Sequence, residues 1–287
     1  MIKKILVGVD ANIKENMAMI YAANLCKILD AELVAVHVIE ELQVYAFWGT
    51  VPVLKREEIL KERQQVVEEA GRLGKKLGIK ASGKIVEGIS PAEELLREAH
   101  DGDFDIIVVG CHGRSVLVES LLGGVSSQLI HHSKIPILVV KSLRNFSRIL
   151  MCTGGSKYAE DAIYFASDIA AKAKSKVTVL SVAPSDDPKI IEMASKIASK
   201  SAEILKKKGV EVEAKVRTGH PAEQILTEAR SGGYPLLVMG YKGTSAVADL
   251  LLGDVASKVM HHSRRPTLVF REKITSKRRG QVRSSRA

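Results

Sequence analysis

The chain has 287 residues, 46% of them hydrophobic and only 4% aromatic, with a formal net charge of +10. That length accommodates two domains of common size, and an aliphatic, aromatic-poor composition suits strands and helices packed through Val, Ile, Leu and Ala. No apolar run approaches the roughly 20 residues of a membrane-spanning helix, and three scattered cysteines, Cys26, Cys111 and Cys152, indicate neither a disulfide framework nor a zinc site.

From the start, Met-Ile-Lys-Lys-Ile enters a strand without the apolar core and cleavage site of a secretory leader, so a cytoplasmic protein is expected. Ile5-Leu-Val-Gly-Val reads as that first strand, Met17 to Leu29 as an amphipathic helix, and Leu33-Val-Ala-Val-His-Val as a second strand. A long charged helix follows from about Glu57 to Leu77, then a strand around Lys84-Ile-Val. Ser90-Pro-Ala-Glu predicts a helix start, with Ser90 as N-cap, Pro91 at the first helical position and Glu93 completing a capping box. Phe104-Asp-Ile-Ile-Val-Val leads into a glycine loop, a short helix from about Val125 to His132, and a last strand, Ile137-Leu-Val-Val.

The order then repeats. Gly110/Gly240, Gly113/Gly243, Gly123/Gly253, His131/His261 and Pro136/Pro266 all differ by 130 positions, which marks a duplicated domain rather than a solenoid unit. The first strands align at an offset of 144, so half one carries about 14 extra residues in and around Glu40 to Arg56. Tyr45, Phe47 and Trp48 lie there, as a lid, a contact surface or a packed loop. The expected divisions are domain 1 over residues 1–142, domain 2 over 147–271, and a basic, disordered tail over 272–287 that is dispensable for folding. From Arg271 onward seven basic residues stand against one acidic, so about six of the ten net charges sit at that end.

Strands apolar on both faces and separated by helices imply an α/β fold with parallel sheets covered on both sides. Ligands in such sheets bind beyond the carboxyl ends of the strands, where strand order reverses. That places a site between Val9-Asp10 and the loop from Gly110. The loop's glycines permit close backbone approach, and the helix start at Gly124, Val125 and Ser126 presents unpaired N–H groups and a positive dipole end suited to phosphate.

Gly110-x-x-Gly113, nine residues, then Gly123, together with Lys4-Ile-Leu-Val-Gly-Val-Asp10, the Gly88/Pro91 helix entry and Pro136-Ile-Leu-Val-Val, resembles the universal stress protein family. Its nucleotide-binding members show Gly-x-x-Gly, nine residues, Gly, then Ser or Thr. The resemblance covers both halves and all but the tail. It implies two tandem doubly wound domains, each a five-stranded parallel sheet of order 3-2-1-4-5. It further implies an adenine nucleotide, ATP or AMP, with Mg2+ accompanying ATP. Asp10, Val38 and Ile39 would line the adenine and ribose, and Gly110, His112, Gly113, Gly123, Gly124, Val125 and Ser126 the ribose and phosphates. The halves would pack as an intrachain pseudo-dimer through their last strands, with a further homodimer and an unidentified protein partner as additional associations.

Half one departs from that pattern at Gly124, where the family's hydroxyl is missing, a net loss of about 0.5–1.5 kcal/mol that Ser126 or Ser127 would offset. Half two departs further. Gly154 replaces Asp10, and Asp254 replaces Gly124, setting a carboxylate where phosphates are expected; one nucleotide per chain follows.

Other motifs have plainer readings. Thr153-Gly-Gly-Ser156 reads as a strand-to-helix turn before a phosphate loop, and His131-His132 and His261-His262 as helix C-terminal caps before metal ligands. Cys111 is a small buried residue ahead of a redox-sensitive thiol, and His112 meets a ligand by side chain or by backbone. With no recurring catalytic constellation, no catalytic residue is assigned and any hydrolysis is expected to be slow. Rival readings are an ATP-using transferase or ligase of the same superfold, and a nucleic-acid binder acting through the tail.

Overall fold

The computed structural model describes residues 1–10, 17–40, 53–111, 122–243 and 252–271, without the side chains of 53–60, 62, 63 and 66. Half one runs β1 (Lys4–Gly8), α1 (Met17–Leu29), β2 (Glu32–Glu40), α2 (Val53–Leu77), β3 (Ala81–Gly88), α3 (Pro91–Asp101), β4 (Ile106–Gly110), α4 (Gly124–His132) and β5 (Ile137–Val140). Half two repeats it as β6 (Arg148–Cys152), α5 (Lys157–Ala173), β7 (Lys176–Ala183), α6 (Pro188–Lys206), β8 (Val212–Thr218), α7 (Pro221–Ser231), β9 (Leu236–Gly240), α8 (Asp254–His262) and β10 (Thr267–Phe270).

Side-chain caps and prolines fix several starts. Ser90 Oγ accepts from Glu93 N–H and Pro91 opens α3; Asp187 accepts from Lys189 N–H and Pro188 opens α6; Ser156 accepts from Ala159 N–H at the head of α5. Strands β4 and β5 are buried at nearly every position, as strands covered on both faces must be.

Each half is a parallel sheet of order 3-2-1-4-5, and β5 pairs antiparallel with β10, so all ten strands form one sheet, β3-β2-β1-β4-β5-β10-β9-β6-β7-β8. The register sets Leu138 opposite Leu268, residues 130 apart and so equivalent in the repeat; a local two-fold passes through that pair. Buried apolar layers cross the seam on both faces. One gathers α1 and α5 with Leu138, Phe146 and Leu268, and the other gathers α3, α4, α7 and α8 with Ile137, Val139 and Val269.

Cations also bridge the halves by capping helix C-termini, where unpaired carbonyls and the negative dipole end lie. Lys172 Nζ donates to Leu29 O at 2.7 Å. Lys141 Nζ donates to Met260 O and, at 2.8 Å, to Ser263 O, closing α8. Its repeat equivalent, Arg271, donates through Nη1 to His131 O at 3.0 Å and Ser133 O at 2.6 Å, closing α4. The paired histidines were expected to make these caps; the carbonyls are instead taken by cations from the opposite half, because a side chain in a helix's last turn points back along its own helix.

The extra length of half one divides between two places. The connection before α2 is residues 41–52 against 184–187 before α6, and α2 has 25 residues against 19 in α6. Tyr45, Phe47 and Trp48 lie outside the described residues. Helix α2 starts at Val53, earlier than the expected Glu57, directly after Pro52. Among the described residues no helix is long and apolar enough to cross a membrane.

Candidate functional site

In half one the sheet register brings the expected residues to one end. Gly8 pairs with Val36 and Val7 with Val108, so continuing the strands sets Asp10 level with Val38 on one side and Cys111 on the other. Two hydrogen bonds hold this strand end: Val9 N–H donates to Val36 O at 3.0 Å, and His37 Nδ1 donates to Val9 O at 2.9 Å. His37 is only 8% exposed, and it fixes the backbone immediately before Asp10, which is exposed. The sequence signal for it is a histidine inside an apolar strand run. Val38 and Ile39 are half-buried at the end of β2.

The far end of the glycine loop is pinned by Gly123 N–H donating to Cys111 O at 2.7 Å. Helix α4 begins at Gly124 with Gly123 as N-cap and no side-chain cap, and its first intrahelical bond runs from Ser127 N–H to Gly123 O. The N–H groups of Gly124, Val125 and Ser126 therefore precede the helical ladder. Among the described residues, a side chain added at Gly124 would meet nothing within 4 Å. Ser126 is 4% exposed and its Oγ donates to Gly110 O at 2.6 Å, tying the helix to the end of β4. Its hydroxyl is thus committed to the scaffold, and what Ser126 offers a ligand is its N–H. His112 and Gly113 lie outside the described residues.

Half two builds the same place differently. Gly253 N–H donates to Tyr241 O at 2.7 Å, the counterpart of the half-one pin. Gly240 ends β9 where a Cβ would lie 2.7 Å from the carbonyl carbon of Tyr158, so only glycine lets α5 approach this closely. Thr153-Gly-Gly-Ser156 folds as the strand-to-helix turn: Gly155 takes φ +77° and donates to Thr153 Oγ1 at 3.2 Å, while Ser156 caps α5 and donates to Lys242 O at 3.0 Å. Helix α8 opens on Asp254, whose carboxylate pairs with Lys258 at 3.2 Å. An acidic side chain there satisfies the positive helix end from within the chain. A cavity of about 720 Å³ lies beyond the ends of β6, β7 and β9 and the start of α8.

Directly after β4 and β9 come Cys111 and Tyr241, each beside the cation that caps the opposite half. Arg271 stacks over the Tyr241 ring at 4.4 Å. Burial draws the Lys141 ammonium down to about 8, against the opposing influence of Cys111. Burial pushes the Cys111 thiol up despite Lys141, and the buried Cys26 and Cys152 thiols up to about 12, so none is poised as a thiolate. His261 is pulled below the usual histidine range by burial, then by Lys141, His262 and His131.

The profile of the Universal stress protein family matches residues 1–141 and again residues 145–271. The chain belongs to the universal stress protein family. Among its relatives, the universal stress protein YxiE of Bacillus subtilis is 33% identical over 149 residues, which cover 49% of this chain and all of YxiE. A universal stress protein of Mycobacterium tuberculosis is 24% identical across 93% of this chain and 97% of its own length. In three dimensions a universal stress protein from Archaeoglobus fulgidus covers 94% of this chain and 96% of its own at a TM-score of 0.72 and 22% identity, a likeness of fold. As a tandem member, this universal stress protein chain carries the fold twice with different residues at the two equivalent helix starts, Gly124 and Asp254.

Proposed function

We propose that this is a cytoplasmic regulatory protein that holds one adenine nucleotide, ATP or AMP, in half one and turns it over slowly or not at all. The observation that carries the reading is the contrast between the two helix starts. Helix α4 presents three N–H groups ahead of its ladder, with nothing among the described residues within 4 Å of a side chain added at Gly124, next to a strand end bearing Asp10; α8 presents Asp254 and a strand end bearing Gly154. A polyanion is favoured at the first and repelled at the second. The glycine spacing shared with nucleotide-binding members of the family supports adenine nucleotides as the class, with Mg2+ accompanying ATP on its phosphates rather than on side chains.

The test is to identify the nucleotide released from purified protein by mass spectrometry and to count sites by calorimetry. One site per chain is expected, weakened by Gly124→Asp. A carboxylate about 5 Å from a phosphate charge costs about 1–3 kcal/mol between water-like and surface-like dielectric values, which is roughly five- to two-hundredfold in affinity. Two equivalent sites, or unchanged affinity in Gly124→Asp, refutes the reading.

A further inference from the structure

The half-two cavity is left unused by the proposed nucleotide function. We propose that it is a binding site for an uncharged, predominantly apolar small molecule. Its volume, about 720 Å³, falls within the range of pockets that enclose drug-sized ligands. Its body is aliphatic: Leu180 and Val182 from β7, Ile190 and Ile197 from α6, Ile225 from α7 and Met239 from β9. Met193 on α6 stands at the wall 59% exposed, beside a β7–α6 connection of only residues 184–187, so the mouth itself is apolar.

The charges on the wall argue against an anion. Among the described residues lining the cavity only Lys242 and Asp254 are charged, one of each sign. Lys242 is 4% exposed with its Nζ 5.5 Å from the centre of the Tyr241 ring, whereas Asp254 occupies the helix start where a phosphate would otherwise sit. Polar handles exist for orientation. Ser181 is 2% exposed, lines the cavity and makes no side-chain hydrogen bond among the described residues. Thr153 Oγ1 accepts from Gly155 N–H, which leaves its own proton to donate. An apolar enclosure with one or two hydroxyls is the composition that selects neutral ligands carrying one or two hydrogen-bonding groups.

This site is independent of nucleotide binding in half one and can be tested separately with the full chain and the uncharged dye Nile red. Saturable binding at one dye per chain is expected, with a blue-shifted emission that excess ATP does not reverse. Gly154→Phe should weaken it at least tenfold, since Gly154 lines the cavity and, among the described residues, an added Cβ there meets nothing within 4 Å. Met193→Glu, an exposed position that leaves folding intact, should weaken it several-fold by charging the mouth. Dye that fails to saturate, that binds both variants as tightly as the parent, or that ATP displaces even from Gly124→Asp protein overturns the proposal.

Discussion

Arg271→Ala tests whether the seam between the halves is held by the cations that cross it. Arg271 is 8% exposed, donates to two carbonyls at the end of α4, and lies 4.4 Å above the Tyr241 ring. Hydrogen bonds from a charged donor contribute about 1.5–3 kcal/mol each, and a desolvated cation–π contact about 2 kcal/mol. Water refilling the gap recovers part of this, so the expected loss is about 3–5 kcal/mol, the range found when one member of a buried charged contact is removed. Arg271→Lys should recover only part of it, because an ammonium cannot fork to both carbonyls while covering the ring. The assay is urea denaturation of the full chain, compared through midpoint and slope. A double-mutant cycle with Tyr241→Leu should return a coupling of about 1 kcal/mol. Because both apolar layers cross the seam, the parent should unfold in one transition. A loss below 1 kcal/mol for Arg271→Ala, or no coupling to Tyr241, would refute the argument.

Converting half two should create a second nucleotide site: Asp254→Ser with Gly154→Asp removes the carboxylate at the helix start and restores the strand-end acid, at a position where an added Cβ meets nothing within 4 Å among the described residues. A calorimetric stoichiometry near two is expected, and a persistent single site would show that the carboxylate at the start of α8 is not what excludes the nucleotide. Lys141 should leave a pH signature. Its folded value, about 8, lies below the ordinary lysine value, so between pH 8 and 10.5 the unfolded chain holds a proton that the folded one has lost, and stability rises with pH across that window. Relative to Lys141→Met the parent should gain up to about 1.4 kcal/mol per pH unit there; parallel denaturation curves from pH 7 to 10.5 would count against a buried, depressed Lys141.

Strand and helix order in each half was legible because apolar runs of strand length alternate with helix-period stretches, and because the glycine spacing recurs 130 positions later. What stayed hidden depends on contacts between distant segments. Lys141 and Arg271 occupy equivalent places in the repeat, yet nothing local says that each reaches the other half. His37 was visible only as a polar residue in an apolar run; its bond to Val9 O needs the β1–β2 register. Ser126 read as a spare hydroxyl for a ligand, but burial turns it onto Gly110 O. The added length of half one read as an insertion centred on a loop, because a charged helix lengthened by six residues keeps its period and leaves no mark in the pattern.

The antiparallel join of β5 and β10 has a consequence for how the molecule meets its surroundings. Since the strands of the two halves run in opposite directions, the half-one cleft and the half-two cavity, each beyond the carboxyl ends of its own strands, open toward opposite poles. A partner docked over one is on the wrong side to touch the other. What the poles share is the rod between them: α4, whose first turn faces the half-one cleft, ends on the guanidinium that rests on Tyr241, at the root of the opposite loop. That rod is one continuous run of contacts from the half-one helix start to the foot of the half-two loop, with the two openings at its opposite ends.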